Sequence, residues 1–506
     1  MKKEPLFDWL RERGAGVLMH PTSLPGRYLI GGFGKEAYQF VDLIASCNFK
    51  YWQVLPLGPT GFGDSPYQSY SSYALNPYLI SWDEMLENGW ITERELLPLM
   101  TRHPSARVDF EELKRHHHFL IQLSVRNAIE SSSFEAEFAQ FKKENREWLP
   151  DYSHFMALKE KFPDKTWNKW SKVYRDYKTS STALLDVEFD KRKDELEFEQ
   201  FMLYRQWLRL KEYANERGIQ IIGDIPIYVA PDSVDVWSNR EQFQLTTTGK
   251  ASRLAGVPPD YFNEDGQFWG NPLYNWKHHE ETGFSWWINR LKHMLKLCDI
   301  IRIDHFRGLE KYWSIPAKAP SAKEGAWKKG PALSFFEAVK KKLPEAKMIL
   351  EDLGEITPEV IRLKDETGCP GLAVLQFAFS GDSSNLYLPH NISADTVIYT
   401  GTHDNDTSLG WYHSATEHEK DHLRKYLQVS GDEVGWDLIR AAYHSNARIC
   451  IIPLQDLLSL GNEARMNVPG VANGNWSWRV TEQQLHNFGV NSAAYLRELS
   501  GIYGRS

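Results

Sequence analysis

Eight short apolar runs constrain this sequence more than any other feature. They are GVLMH (16–20), YWQVLP (51–56), IQIIGD (219–224), DIIRID (299–304), KMILED (347–352), LAVLQF (372–377), TVIYTG (396–401) and ARICIIPL (447–454). Most are near-continuous in apolar residues, as strands covered on both faces must be. Amphipathic helical text lies between several of them, at 35–46, 286–297, 334–343, 357–367 and 434–445. In the second of these, Trp286, Trp287, Leu291, Met294 and Leu295 share one stripe. Thr357 followed by Pro358 reads as an N-cap with proline at the first helical position. Strands that alternate with helices build a parallel sheet, and eight such units close into a (β/α)8 TIM barrel, an α/β fold.

A plain barrel needs about 250 residues, and this chain has 506. The surplus falls in two places. Residues 58–218, after the second run, are charged and helical in period, as in LEFEQFMLYRQWLRLKEYANERG (196–218). Residues 225–285, after the third run, are rich in Gly, Pro, Asn and Trp and read as a loop-rich insertion. Residues 1–506 together read as one catalytic domain carrying these two insertions. The His116–His118 triple reads as part of a solvated helix face rather than a metal site.

Composition excludes several classes. Apolar residues make up 42% and charged residues 25%, which is globular. A net charge of −8 gives no basic field to attract nucleic acid. No run of about 18 apolar residues is available to span a membrane, and the charged N-terminus lacks a signal-peptide core. Cys47, Cys298, Cys369 and Cys450 are far apart, without metal-binding spacing, and read as free thiols in the cytoplasm. The 19 Trp and 23 Tyr exceed the needs of a core. Their flat faces and polar edges suit a hydroxyl-rich, partly apolar ligand.

The polar residues sit where a barrel places its chemistry, at the C-terminal strand ends. Asp224 ends the third run, Arg302 and Asp304 the fourth, and Glu351 and Asp352 the fifth. The seventh runs into His403, Asp404 and Asp406. Each has a structural alternative. Asp304 could pair with Arg302 two residues back on the same strand face. Asp352 or Asp404 could cap a helix, and Asp224 could bind loop amides. Carboxylates collected at one barrel mouth are nevertheless costly to bury unpaired. Paired carboxylates among aromatics suit glycosidic chemistry, with one attacking C1 and another protonating the leaving oxygen. In a retaining enzyme they stand about 5–5.5 Å apart. A divalent-metal cluster is the competing chemistry, weakened by the surrounding Arg302, His305 and Arg307.

An ordered set of longer motifs carries a resemblance. HPTSLPG (20–26), YWQVLPLGPTGFGDSPYQ (51–68), GDIPIYV (223–229), AGVPPDYF (255–262), FWGNPLYNW (268–276), IRIDHFRG (301–308), EDLG (351–354), GTHDNDT (401–407) and GNWSWR (474–479) span nearly the whole chain. Together they resemble the amylomaltases, bacterial 4-alpha-glucanotransferases of glycoside hydrolase family 77. The resemblance implies a (β/α)8 barrel and retaining transfer of alpha-1,4-glucan segments from one maltodextrin to the 4-hydroxyl of another. It implies Asp304 as nucleophile, Glu351 as general acid/base and Asp404 as transition-state stabiliser. Arg302, His403 and Asp224 match sugar-binding positions. Tyr67 matches a donor-side stacking residue, with Ser65 beside it in the same motif. Asp260, Trp269 and Asn271 match contacts from a loop over the cleft, and Asn467 in RMNVPG (465–470) matches a facing loop. Phe62 stands where some members carry Tyr, a departure that bears on secondary glucan binding and product size.

The expected partners are maltodextrin donors and acceptors derived from starch or glycogen, with no nucleic acid, membrane or obligate protein partner. No cofactor or metal is expected. The chain starts close to GVLMHPTSLPG, as in compact members, and no appended starch-binding module is expected. Two other functions fit the same residues: an alpha-amylase-like retaining hydrolase, and a glucan-binding protein whose carboxylates are only polar contacts.

Overall fold

The computed structural model describes residues 4–101, 106–132, 134–182, 186–259, 264–354 and 356–506. Eight parallel strands form one sheet: β1 (Gly14–Leu18), β2 (Tyr51–Gln53), β3 (Gln220–Pro226), β6 (Ile300–Asp304), β9 (Met348–Leu350), β10 (Gly371–Val374), β11 (Thr396–Tyr399) and β12 (Ile449–Pro453). Their order is β10-β11-β12-β1-β2-β3-β6-β9, which is chain order read around a ring. The Leu350 amide donates to the Pro370 carbonyl at 2.9 Å and joins the two ends of that order. The fold is a (β/α)8 TIM barrel. Each apolar run contributes one strand, shorter than the run itself except at β1, which is as long, and β3, which extends beyond it to Pro226. Past β2 the Val54 N–H still donates to Ile222 O on β3 at 2.9 Å before the chain leaves the sheet, and Leu375–Phe377 turn into 3-10 helix after β10.

The helices follow their apolar stripes. Lys35–Ser46 buries Ala37, Phe40, Val41 and Ile44, one face of the cylinder. Pro358–Thr367 starts on proline and ends at Gly368, whose φ of +72° is the left-handed stop that glycine adopts without strain. Thr357 holds the N-cap position there, but its hydroxyl makes no cap bond. Between β2 and β3 lies mostly helix, ending in the 30-residue Val187–Glu216. Asp186 caps it through Phe189 N at 2.9 Å, and Trp207 fixes it to the barrel by donating to Leu297 O at 2.9 Å.

Two expectations are corrected. The segment read as loop-rich carries β4 (Arg253–Val257) and β5 (Gln267–Pro272). With β7 (Lys311–Pro316) and β8 (Ala326–Lys329) they form a second, antiparallel sheet in the order β5-β4-β7-β8. A Cβ at Gly256 would lie 2.2 Å from Gln267 O, so only glycine fits at the irregular register between β4 and β5. The His116–His118 triple lies on the helix Phe110–Glu130, but His117 is buried between the Tyr78 and Trp82 rings. Burial pulls its pKa down to about 3.

Candidate active site

Strand register sets the geometry. Asp224 on β3 is the direct partner of Arg302 on β6, and Asp304 lies opposite Pro226 where β3 ends. Ile303 pairs with Leu350 on β9, so Glu351 leaves the sheet beside Asp304. Side chains two apart on a strand share a face. Arg302 therefore reaches both its partner across the sheet and its neighbour along the strand. Its Nη1 lies 2.9 and 2.7 Å from the two Asp224 oxygens and 3.0 Å from Asp304 Oδ1.

Asp224 is fully buried, and its third contact is the Tyr67 hydroxyl, which donates to Oδ2 at 2.8 Å. Burial pushes the Asp224 carboxyl up, against the opposing pull of Arg302. Burial, and then the Asp224 charge, hold the Tyr67 hydroxyl well above its ordinary pKa, so it stays a donor. The Tyr67 ring stacks on His403 with centroids 5.1 Å apart and planes at 15°. Trp476 closes the group, 5.8 Å from Tyr67 and 6.0 Å from His403.

Glu351 is held by two main-chain amides. His305 N donates to Oε2 at 2.7 Å and Leu353 N to Oε1 at 2.8 Å. His305 aims its amide this way from a left-handed backbone, φ +54°, unusual for a residue with a side chain. Its ring meets Trp269 edge-on at 4.8 Å, and burial pulls its pKa down to about 4, so the ring is neutral. Burial, then the neighbouring Asp304 charge, pushes the Glu351 carboxyl up to about 8. Asp304 itself is part-exposed. Two carboxyls side by side with different solvation are the arrangement that separates an acid from a nucleophile.

Asp404 faces the same opening from the turn after β11. Asn467 Nδ2 donates to its Oδ1 at 2.6 Å, and His403 Nε2 is 3.5 Å from that oxygen. Asp304, His403, Asp404, Asn467, Ser65, Tyr67, Trp269 and Asn271 all line one cleft of about 1140 Å³. Ser65 accepts from Tyr67 N at 3.2 Å. The Asn271 amide is committed to Val229 O at 2.9 Å and the Trp269 indole to Gln267 Oε1 at 3.0 Å. Asp260 lies outside the described residues. Asp352 is turned elsewhere, accepting from Lys364 and from Leu372 N at 2.7 Å each, so it is neither a cap nor a cleft residue.

Sequence reasoning missed two contributors, the His305 amide and the Trp476 ring, while the facing loop read from RMNVPG does reach the cleft wall, through residues 468–472. That loop is shaped by Asn475, which accepts from Val468 N at 3.0 Å and donates to Val471 O at 2.8 Å.

Comparisons with known proteins show the family. A family model described as 4-alpha-glucanotransferase, of glycoside hydrolase family 77, matches residues 19–485. The 4-alpha-glucanotransferase of Synechocystis sp. is 45% identical over 502 residues, 97% of this chain and 98% of that one. That of Thermus thermophilus is 46% identical over 485 residues, 94% of this chain and 96% of that one. The solved amylomaltase from Streptococcus agalactiae in complex with acarbose superposes with a TM-score of 0.93 at 38% identity. It covers 98% of this chain and 100% of that one.

Proposed function

The chain belongs to the 4-alpha-glucanotransferases of glycoside hydrolase family 77, and from that premise we propose which residues carry the reaction and on what substrates. The enzyme transfers alpha-1,4-glucan segments with retention of configuration. In the proposed cycle Asp304 attacks the anomeric carbon of a maltodextrin donor while Glu351 gives its proton to the departing glycosidic oxygen. The C1–O bond to the leaving glucan breaks, and a covalent glucosyl ester of Asp304 forms. The free 4-hydroxyl of an acceptor maltodextrin then attacks C1, gives its proton to Glu351 and releases Asp304.

The observation that carries this reading is the unequal environment of the adjacent carboxyls. Glu351, pushed up to about 8, holds a proton at neutral pH when the acid is needed. Esterification removes the Asp304 charge that contributes to that rise, so the deprotonated Glu351 is favoured when the base is needed. Arg302 supports the attacking carboxylate in its ionised form. Asp404 offers a negative charge toward the oxocarbenium-like transition state. Tyr67, His403 and Trp476 form an apolar platform on which sugar faces stack.

The proposed substrates are starch- or glycogen-derived alpha-1,4-glucans as donor and acceptor. All four cysteines are buried free thiols, which fits the cytoplasmic location that is part of this proposal. No helix among the described residues is long and apolar enough to cross a membrane. The test is a time course on maltotriose. Transfer yields glucose and longer maltodextrins with little gain in reducing ends. A steady gain in reducing ends would mark a hydrolase and overturn the reading.

A further inference from the structure

The turn that carries Asp404 is fastened to one short segment, residues 465–467. Asn467 makes two of the contacts: its side chain to Asp404 Oδ1 at 2.6 Å, and its backbone N–H to His403 O at 3.1 Å. Arg465 makes the other two. Its Nη2 donates to the main-chain oxygen of Asp404 at 2.7 Å, and its Nε donates to the main-chain oxygen of Asn467 at 2.8 Å. One guanidinium therefore ties the backbone at Asp404 to the backbone at Asn467.

The segment is itself anchored on both sides. Arg107 Nη2 donates to Glu463 O at 2.9 Å just before it. Trp476 N donates to Met466 O at 2.8 Å within it, from the residue whose ring packs on His403. Arg465 is thus the link between a fixed scaffold and an exposed carboxylate on the turn after β11.

We propose that Arg465 is a positioning residue of the transfer reaction, holding Asp404 and Asn467 against one another on the cleft wall. The inference rests on the reading of Asp404 as the carboxylate that stabilises the transition state. The chemistry of the side chain supports it. The rigid guanidinium presents Nε–H and Nη2–H in one plane and reaches two acceptors at once. A lysine ammonium keeps the charge but is a single point on a flexible stem, and cannot hold both carbonyls at the same separation. Positional errors of about 1 Å in a catalytic group cost on the order of 100-fold in rate. An interaction felt only in the transition state lowers kcat without raising KM.

The experiment measures kcat and KM for transfer from maltotriose in Arg465→Ala, Arg465→Lys, Asn467→Ala, the double variant Arg465→Ala/Asn467→Ala and Asp404→Asn, with denaturant unfolding of each. Expected are a fall in kcat of about 10- to 100-fold in Arg465→Ala with donor KM little changed, and failure of Arg465→Lys to restore it at parental stability. The double variant should lose less than the product of the single losses, since both residues act through one unit. If Arg465→Ala does not fold, Arg465→Lys decides. Parental kcat in Arg465→Lys, or a change confined to KM, overturns the inference. Parental kcat in Asp404→Asn overturns instead the reading of Asp404 on which it rests.

Discussion

Arg302 Nη1 lies 2.7 Å from Asp224 Oδ2 and 3.0 Å from Asp304 Oδ1, so a single nitrogen serves one fully buried carboxylate and one that faces the cleft. The buried partner depends on it more. Removing the guanidinium strands the Asp224 charge in the barrel with only the Tyr67 hydroxyl as a hydrogen-bond partner. Arg302→Ala should therefore destabilise the fold by about 3–5 kcal/mol, read by denaturant unfolding at pH 7. A change below about 1 kcal/mol would mean that Asp224 is not held as an ion.

Replacing Asp304 by asparagine keeps the shape and removes the oxygen proposed to attack. Transfer from maltotriose should fall on the order of 10⁴-fold, while calorimetry still detects maltodextrin binding. Near-parental transfer would refute the assignment of the nucleophile.

The Glu351 carboxyl sets a pH limit on activity and a slope on stability. As the proposed general acid, pushed up to about 8, it should give a kcat/KM that declines as pH rises through about 8. The folded state also binds this proton more tightly than the unfolded chain, whose carboxyl titrates near the ordinary 4.5. Its contribution to stability is therefore complete below about 4.5 and is lost as pH rises through about 8. Glu351→Gln should lose less stability across that interval than the parent. Parallel stability–pH curves for the two proteins would contradict the raised value.

Tyr67 does two things that substitution can separate. Tyr67→Phe keeps the ring on His403 and removes the hydroxyl from Asp224, at a cost of about 1.5–3 kcal/mol for a hydrogen bond to a charged group. Tyr67→Ala also removes the stacking platform and should raise donor KM further. Equal KM values in the two variants would remove the ring from sugar binding.

The barrel was legible because strands covered on both faces must be apolar throughout, and each run announces itself locally. Ile449–Pro453 is buried at every position, and its sequence reads that way. The second sheet was not legible. Arg253–Val257 pairs with Lys311–Pro316 across the whole of β6, and short half-exposed strands holding Gly and Pro carry little periodicity of their own. The N-terminal turns of Val187–Glu216 were hidden for a related reason: DVEFDKRKDE is almost entirely charged, and only the later turns bury a stripe. At the site, carboxylates ending apolar strands stand out by contrast. The His305 amide does not, because a backbone N–H aimed by a positive φ leaves no mark on residue type. Trp476 sits in a loop whose shape comes from the Asn475 side chain, and its place against His403 depends on folding at long range.

β4 and β5 come from the connection before β6, and β7 and β8 from the one after it, yet all four pair as one sheet, with Gly256 opposite Trp313. The strand ending in Asp304 is thereby bracketed by two segments whose lengths are tied. An insertion on one side shifts the pairing unless the other side changes to match. Any attempt to transplant this cover onto another barrel must move both connections, and the strand between them, as one inherited block.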